Sequence, residues 1–382
     1  MEWISIAATS VAALWCVVLL LPWQHWRNRE VLEPDHAVAG IDDSDLTVLI
    51  PARNEAEVIS DTLRALARQA PGLKVVVVDD QSEDGTADEA RRVENLDLTI
   101  VPGQSLPPGW SGKLWALEQG LSRVTTGKVL LLDADIELLP GMLAALLDKM
   151  ERQGKDLVSV MARLRTRSFW EKLLMPAFVY FFKFLYPFAL ANSRLRWFAA
   201  AAGGCILVKT RVLRDCGAFD SLKDALIDDC ALATQVKNQG YRTWIGLSHG
   251  VISNRAYDHL VTIWDMIART AFTQLCYSNI LLLLSTVLMA SMFWIPVLAL
   301  LNPGTRLAGS AALALMSISY VPTLRFYRLS PALSVLMPLI ATFYMAMTWS
   351  SAWRYWQGEC SRWKGRIYAY GTEAVEKKSE AR

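Results

Sequence analysis

The chain has 382 residues, of which 53% are hydrophobic and 20% are charged, and its formal net charge is only +2. Because nucleic-acid partners select strongly basic surfaces, this balance argues against nucleic acid as a partner. The 15 tryptophans and the positive mean hydropathy make the chain too apolar for an ordinary soluble protein. Six cysteines occur without a C-x-x-C pair, so the sequence predicts neither a zinc site nor a disulfide framework.

An uncharged segment lies near the N-terminus. Residues 3–23 carry no charge over roughly the 20 positions that a bilayer core requires, with tryptophans at both edges as interfacial anchors. The segment is too long, and its start too poor in basic residues, for a cleaved signal peptide. Arg27 and Arg29 follow it, which by the positive-inside tendency places the next domain in the cytoplasm. We predict a transmembrane anchor at 1–24 and a polar linker at 25–45.

Three further apolar stretches lie near the C-terminus, at 280–301, 307–324 and 332–349. They predict a transmembrane region at 276–352, followed by a basic tail at 353–382. Three crossings from the cytoplasm would leave that tail on the far side, against the positive-inside tendency. Either one stretch is re-entrant or lies in the membrane interface, or the tendency fails here, and the sequence leaves both alternatives open.

Strand patterns alternate with helix patterns in the middle of the chain. The short apolar runs in "LTVLIPA", "LKVVVVDD", "LTIVPG" and "KVLLLDAD" are typical of buried strands. Each of the first three is followed by a stretch with helical features. This alternation predicts an α/β fold with a mostly parallel, Rossmann-like sheet and right-handed crossovers.

Polar side chains follow three of these strands directly. The set is Arg53, Asn54 and Glu55 after the first strand, Asp79 and Asp80 after the second, and Asp133 and Asp135 after the fourth. The carboxyl ends of parallel strands lie along one edge, and like charges gathered there destabilise the fold unless a ligand compensates them. A divalent cation and a polyhydroxylated ligand would do so, although the D-x-D pair alone could be a capping turn.

The chain has neither a P-loop nor a G-x-G-x-x-G dinucleotide motif. Phosphates must therefore be held differently. We predict a metal ion at Asp135, with Lys113 as an added positive charge.

Two later motifs carry further candidates. Gly203 and Gly204 form a turn before a strand, which either permits close approach to a ligand or is a plain tight turn. Asp228 and Asp229 precede a helix, where acids are also ordinary caps. The aromatic segment 170–200 is interrupted by charges and two prolines, which favours an interfacial helix or acceptor-binding surface over a span, with a buried core helix as the alternative.

In their order, these motifs resemble those of family 2 glycosyltransferases with the GT-A fold. The similarity rests on "VLIPARNE", "VVVVDDQSEDGT", "GKLWALEQGL", "LLLDADIEL", "AAGGCILVKTRVLRDCGAFD" and "IDDCALATQVKNQGYRTW", and it covers about 46–244. The resemblance implies a nucleotide-diphospho-sugar transferase domain at 46–275. Within the family the chain looks most like the hopanoid-biosynthesis-associated glycosyltransferases, with carotenoid-type and ceramide-type lipid glycosyltransferases as relatives.

The resemblance implies a role for each candidate. The donor-binding residues would be Pro51, Ala52, Arg53, Asn54, Glu55, Asp79, Asp80, Lys113, Asp133, Ala134 and Asp135. Asp135, with Asp133, would bind Mg²⁺ or Mn²⁺. Asp229 would be the catalytic base, and Gly203, Gly204, Asp228 and Arg269 would lie on the acceptor side.

The implied enzyme is a metal-dependent, inverting transferase that moves a sugar from a nucleotide-diphosphate donor, most commonly UDP in this family, to a lipid acceptor. It would be a multi-pass protein of the bacterial inner membrane with its catalytic domain facing the cytoplasm. Processive relatives carry Q-x-x-R-W, of which residues 266–270 preserve only Arg269, so a single sugar is expected. The first acid of the E-D motif is Asp228 in place of Glu. The alternatives are a polyprenyl-phosphate sugar synthase and a non-catalytic membrane scaffold.

Overall fold

The computed structural model describes residues 2–35, 43–223, 225, 227–358, 361–363 and 366–368. The chain forms two compact units. The first, which we call the helical unit, contains Met1–Arg29, Thr166–Ala189 and Tyr257–Ser361. The second, the sheet unit, contains Glu30–Arg165, Leu190–Ala256 and Arg362–Arg382.

The strands of the described residues are β1 (Leu46–Ala52), β2 (Leu73–Asp79), β3 (Leu96–Pro102), β4 (Lys128–Leu132), β5 (Ile136–Leu138), β6 (Leu157–Arg163), β7 (Cys205–Lys209), β8 (Thr243–Ser253), β9 (Ser361–Trp363) and β10 (Arg366–Tyr368). The helices are α1 (Glu2–Leu20), α2 (Ile59–Gln69), α3 (Thr86–Arg91), α4 (Gly112–Leu121), α5 (Met142–Arg152), α6 (Phe169–Leu185), α7 (Phe188–Ala191), α8 (Thr210–Asp215), α9 (Asp228–Asn238), α10 (Leu260–Ala268), α11 (Asn279–Ala299), α12 (Arg306–Phe326) and α13 (Met337–Trp356).

Strands β1 to β8 form one sheet in the order β3-β2-β1-β4-β7-β6-β8-β5. The predicted α/β fold is confirmed, and the first four strands are parallel neighbours as their alternation with helices requires. The sheet is mixed because β7 runs antiparallel to both β4 and β6, and β5 runs antiparallel to β8. Every residue of β1 is buried, which explains its continuous apolar run.

Helices cover both faces of this sheet. On one face, α2 and α5 bury apolar side chains such as Leu63 and Leu146 against the strands. On the other face, α4, α8 and α9 do the same with residues such as Leu117 and Leu232. The alternate side chains of β1 feed the two cores separately, since Val48 joins the first and Leu49 the second. Burial on both faces fixes the register of the strands and therefore the position of their carboxyl ends.

Part of the predicted linker belongs to the sheet unit. Leu32 N donates to Leu247 O at 2.9 Å, and Leu247 N donates to Glu30 O at 2.8 Å, so this stretch runs along β8. Glu33 accepts a hydrogen bond from His249 N and lies 2.6 Å from Nδ1 of the same residue. The sheet unit therefore begins at Glu30, within the predicted linker. Backbone pairing between distant segments leaves no local pattern, so the sequence shows only polarity there.

The helical unit contains three helices that are long and apolar enough to cross a membrane: Asn279–Ala299, Arg306–Phe326 and Pro331–Trp356. They lie where the C-terminal spans were predicted. The N-terminal apolar helix, Ser5–Leu20, is shorter. Trp15 of that helix is buried, and its Nε1 donates to Met292 O of α11 at 3.0 Å.

The predicted domain boundaries differ from the observed units at two further places. Residues 166–189, including α6, and residues 257–275 group with the helical unit, although the prediction placed them in the transferase domain. Of the three charged residues that interrupt the apolar pattern of α6, Glu171 and Lys183 are buried and hydrogen-bonded, whereas Lys172 is exposed. Lys183 Nζ donates to Arg27 O at 2.6 Å, and Glu171 accepts from the backbone of Ser168 at the helix start. The predicted basic tail lies mostly outside the described residues.

Candidate active site

The two acids of the D-x-D motif stand where β4 leaves the sheet. The antiparallel partner β7 begins opposite the end of β4, since Leu132 pairs with Cys205. Asp133 N donates to Gly204 O at 3.0 Å as a result. The glycine turn and the D-x-D motif, which are about 70 residues apart in sequence, therefore meet at one point of the sheet edge.

Lys113 forms ion pairs with acidic residues at this edge of the sheet. It lies in the first turn of α4, whose N-cap Ser111 accepts a hydrogen bond from Leu114 N. Its Nζ is 2.7 Å from Asp133 Oδ1 and 4.0 Å from Asp228 Oδ2. Burial acts to lower the pKa of Lys113, but the surrounding carboxylates, Asp133 first, outweigh it and raise that pKa. Lys113 is therefore a cation throughout the physiological range.

Asp229 is held by two backbone donors at the start of α9. Gly203 N donates to its Oδ2 at 2.7 Å, and Cys230 N donates to its Oδ1 at 2.7 Å. Burial, followed by the negative charge of Asp228, raises the pKa of Asp229 from 3.8 to about 6, against the lowering effect of Lys113 and the two N–H groups. The carboxylate is therefore fixed in orientation, ionised at neutral pH and more basic than an ordinary aspartate.

A close backbone approach explains the glycine at position 203. A Cβ there would lie 3.2 Å from Lys113 Nζ and 3.3 Å from Asp229 Oδ2. A side chain would therefore crowd both charged groups. These residues also line one pocket of about 350 Å³, part of it open to solvent, whose polar lining is Lys113, Asp133, Asp228 and Asp229 and whose apolar lining includes Leu117 and Phe219.

The loops after β1 and β2 bind each other beside this pocket. Arg53 Nη1 donates to Asp80 O at 2.5 Å, and Asp80 is fully buried. Asn54 has a left-handed backbone with φ of 51°, and its Oδ1 accepts from Glu83 N at 3.0 Å. A Cβ on Gly103, after β3, would lie 2.8 Å from Asp79 O. The ends of β1, β2 and β3 thus lie together, and a left-handed backbone such as that of Asn54 is typical of ligand sites.

Arg255 was missed by the sequence analysis. It follows β8, and its Nε is 3.4 Å from Asp135 Oδ2 while its Nη2 is 2.7 Å from Glu55 Oε1. Ser253 Oγ also donates to Asp135 Oδ2 at 2.8 Å. The signal was available, because "VISNR" is another strand that ends in polar residues. Asn254 and Arg255 follow β8 just as Asp133 and Asp135 follow β4.

The D-x-D acids fit a hard divalent cation in part. Carboxylate oxygens are the ligands that Mg²⁺ and Mn²⁺ prefer, and Asp135 already faces the cation of Arg255, so this position accommodates positive charge. Within the described ranges, however, no group of three Asp, Glu, His or Cys residues could hold a metal by itself. Asp133 and Asp135 would therefore need further oxygen ligands from a bound diphosphate.

The remaining predicted residues fall into two groups. Pro51 lines the pocket, and Ala52 and Ala134 support the loops through their carbonyl oxygens, since Asp80 N donates to Ala52 O and Thr62 Oγ1 donates to Ala134 O. Arg269, by contrast, lies in the helical unit, at the C-terminal end of α10.

Residues 47–217 match the family model of glycosyl transferase family 2. Two curated relatives are the 4,4'-diaponeurosporenoate glycosyltransferases of Staphylococcus aureus strains bovine RF122 / ET3-1 and MRSA252. Each is 31% identical over 176 residues, which is 45% of this chain and 44% of the relative. The match thus spans less than half the length of the curated relatives.

Among solved structures, a mannosyltransferase from Pyrobaculum calidifontis in complex with GDP-Man and Mn²⁺ matches over 93% of this chain and 100% of its own, with a TM-score of 0.53 and 21% identity. At this identity the likeness concerns the fold alone. The chain therefore has a GT-A fold, and its residues 47–217, less than half of its length, are similar to glycosyl transferase family 2.

Proposed function

We propose that this protein is a membrane-bound, inverting glycosyltransferase that moves one sugar from a nucleoside-diphosphate donor, with UDP as the first candidate nucleotide, to a lipid acceptor. The observation that carries the proposal is the carboxylate of Asp229, which two N–H groups hold at the pocket that also contains Lys113 and Asp133. A fixed carboxylate with a raised pKa beside a strand-end ligand site suits a general base better than a helix cap.

In the proposed reaction, the loops after β1 and β2 hold the nucleotide through Arg53, Asn54 and Asp79. Asp229 accepts the proton of an acceptor hydroxyl as the oxygen forms a bond to the anomeric carbon. The bond between that carbon and the diphosphate oxygen breaks from the opposite side, so the anomeric centre inverts and the nucleoside diphosphate leaves. Lys113 acts to lower the pKa values of Asp133 and Asp229, against the burial that raises both. A divalent ion held by Asp133 and Asp135 would neutralise charge on the leaving diphosphate.

Two observations support a lipid acceptor. Three helices of the helical unit are apolar and long enough to cross a membrane. The curated relatives are named for an isoprenoid acid, 4,4'-diaponeurosporenoate, which supports an isoprenoid skeleton in the acceptor, while the accepting group proposed for this chain is a hydroxyl. We therefore place the acceptor among isoprenoid or polycyclic lipids, hopanoids included, and the enzyme in the bacterial inner membrane with the sheet unit on the cytoplasmic side, where nucleotide sugars occur.

The first experiment measures donor binding. The full chain in detergent is titrated with UDP, GDP and dTDP, with and without Mn²⁺, beside Asp135→Ala and the control Asp88→Ala at an exposed site on α3. We expect Mn²⁺-dependent binding of one nucleotide that Asp135→Ala loses and Asp88→Ala retains. If folded protein binds none of them, a non-catalytic scaffold replaces the proposal.

A second candidate function is that of a polyprenyl-phosphate sugar synthase. The two functions differ in whether the reaction needs Asp229 as a base. A phosphate or carboxylate acceptor is already ionised and needs no base, so Asp229→Asn would leave substantial turnover. A hydroxyl acceptor predicts a loss of about 10²–10⁴-fold in kcat. The variant thus distinguishes the acceptor chemistry even before the lipid is identified.

A further inference from the structure

Residues 193–198, "SRLRWF", form the loop that precedes the glycine turn, and we call them the 193–198 loop. Trp197 is 90% exposed, and Leu195 and Phe198 are 49% and 39% exposed. Trp197 is the most exposed of the large apolar side chains in the described residues. Burial of an indole from water is strongly favourable, so a contiguous exposed group of this kind indicates a contact surface.

The loop is nevertheless tied to the sheet unit at both ends. On the N-terminal side, Asn192 Nδ2 donates to Ile245 O at 2.9 Å and its Oδ1 accepts from Ile245 N at 2.7 Å. On the C-terminal side, the buried Lys237 Nζ donates to Phe198 O and to Ala191 O. The buried ammonium group thus ties the last residue of the loop to the end of α7, which keeps the apolar side chains exposed to water at a defined place.

The charges of the loop specify the partner. Arg194 and Arg196 are both exposed, neither has an ion pair among the described residues, and the loop contains no acid. Guanidinium groups bind phosphate oxygens well, and tryptophan prefers the headgroup level of a bilayer. A second copy of this chain is a poor partner, because a symmetric contact would bring Arg194 and Arg196 close to their own copies.

We propose that the 193–198 loop inserts into the surface of a bilayer that contains anionic phospholipids, with Trp197 and Leu195 at the headgroup level and Arg194 and Arg196 on lipid phosphates. This inference goes beyond the transfer reaction, since it assigns the surface on which the sheet unit rests. Residues 199–202 after the loop are buried and lead directly to Gly203, which binds Asp229. The backbone that follows the loop is therefore the same backbone that orients the proposed base.

The test uses the full chain in nanodiscs. Cys16, Cys276 and Cys360 are replaced by serine, while the buried Cys205, Cys216 and Cys230 remain. A bimane label is placed at Trp197→Cys, and in a separate protein at the exposed control site Arg91→Cys on α3. Quenching by phospholipids that carry a spin label near the headgroup is measured in zwitterionic and in anionic discs, and circular dichroism and gel filtration check that each variant is folded.

We expect the label at position 197 to be quenched severalfold more than the label at position 91, with a further increase in anionic discs. Arg194→Gln/Arg196→Gln should remove the increase that anionic lipids cause. Equal quenching at the two positions, or cross-linking of position 197 to the same position of a second copy, would overturn the proposal. The readout needs neither donor nor turnover, so its failure is distinguishable from failure of the proposed transferase activity.

Discussion

Arg255 stands between Asp135 and Glu55, with its Nε 3.4 Å from the first carboxylate and its Nη2 2.7 Å from the second. The carboxylate proposed to bind a divalent ion thus already has a positive partner supplied by the chain. A metal ion that binds Asp135 must compete with this guanidinium group. Metal binding should therefore be weak until a diphosphate supplies additional oxygens.

Removal of that competitor should strengthen binding of the metal alone. For Arg255→Gln we expect the affinity for Mn²⁺ without nucleotide to rise by about threefold to fivefold, since a partly exposed ion pair is worth roughly 1 kcal/mol. Calorimetry or the electron paramagnetic resonance signal of free Mn²⁺ measures this. Arg64→Gln, which removes an exposed pair with Asp61, is the control. An unchanged or lower affinity in Arg255→Gln would contradict this relationship.

The acid limb of the pH–rate profile should report Asp229. Because the base must be ionised, kcat should rise as pH increases through about 6, the pKa of Asp229, and then become constant. The charge of Asp228 contributes to this raised pKa, so Asp228→Asn should move the limb to lower pH while it leaves the base in place. Steady-state rates between pH 5 and 8 decide this, and a limb that stays in place in Asp228→Asn would argue against it.

The free energy of unfolding should also depend on pH through the raised pKa of Asp229, and the direction of that dependence can be predicted. The folded protein holds the Asp229 proton more tightly than the unfolded chain does, because the pKa is raised from 3.8 to about 6. The stabilisation is complete below the lower value and is lost as pH rises to the upper one. The melting temperature of the wild type should therefore fall relative to Asp229→Asn between pH 4 and pH 7. A difference that does not change with pH would show that Asp229 titrates normally.

Lys113→Met should unfold more easily at neutral pH. The change leaves Asp133, Asp228 and Asp229 without their shared cation, and loss of one partner from a largely buried pair costs about 2 kcal/mol after allowance for its partial exposure. The loss should shrink at pH 5, below the pKa of about 6 of Asp229, where that carboxylate takes up a proton. Denaturant unfolding at both pH values measures it, beside Lys223→Met, whose pair with Asp220 is exposed. Equal losses in the two variants would contradict the role of Lys113.

Gly120 tests the packing of α4 on the sheet. A Cβ at this position would lie 2.2 Å from Leu49 Cδ1 and 2.8 Å from Val78 Cγ2, both of which are fully buried. Overpacking costs about 1–3 kcal/mol, against which the better helix propensity of alanine recovers about 1 kcal/mol. We expect Gly120→Ala to lower the melting temperature and Gly120→Val to lower it further. An alanine variant as stable as the wild type would mean that this contact relaxes at no cost.

The parts of the fold that local patterns determine were predictable from the sequence. The strands were predicted from apolar runs such as that of β1, because burial on both faces of a sheet restricts a strand to apolar residues. The edge of the sheet that carries the site was predicted from the polar residues that follow these runs. Asp133 and Lys113 were candidates from the residues themselves, whereas the role of Asp229 beside them was implied only by a resemblance between motifs. Their direct contacts depend on the antiparallel entry of β7 beside β4, which no local pattern indicates.

The long-range features were not predictable for a physical reason. The backbone bonds of Glu30 and Leu32 to Leu247 join segments more than 200 residues apart, and backbone groups carry no sequence signal. The apolar face of α6 could be covered by the sheet, by other helices or by lipid, and its composition is the same in each case. Arg255 was a different kind of omission, because the argument that identified Asp135 applies equally to the end of β8.

Helix α9 has one further consequence. Asp229 lies in its first turn and Lys237 in its last, eight residues or about 12 Å along the axis. Lys237 binds the carbonyl oxygen of Phe198, at the end of the 193–198 loop, and that of Ala191 just before the loop, while Asp229 faces the pocket. One helix therefore carries the proposed base, Asp229, at one end and, at the other end, the lysine that binds the end of the 193–198 loop. A displacement of that loop at a lipid surface would move α9 and with it the carboxylate of Asp229. Contact with a bilayer would therefore affect the position of the proposed base.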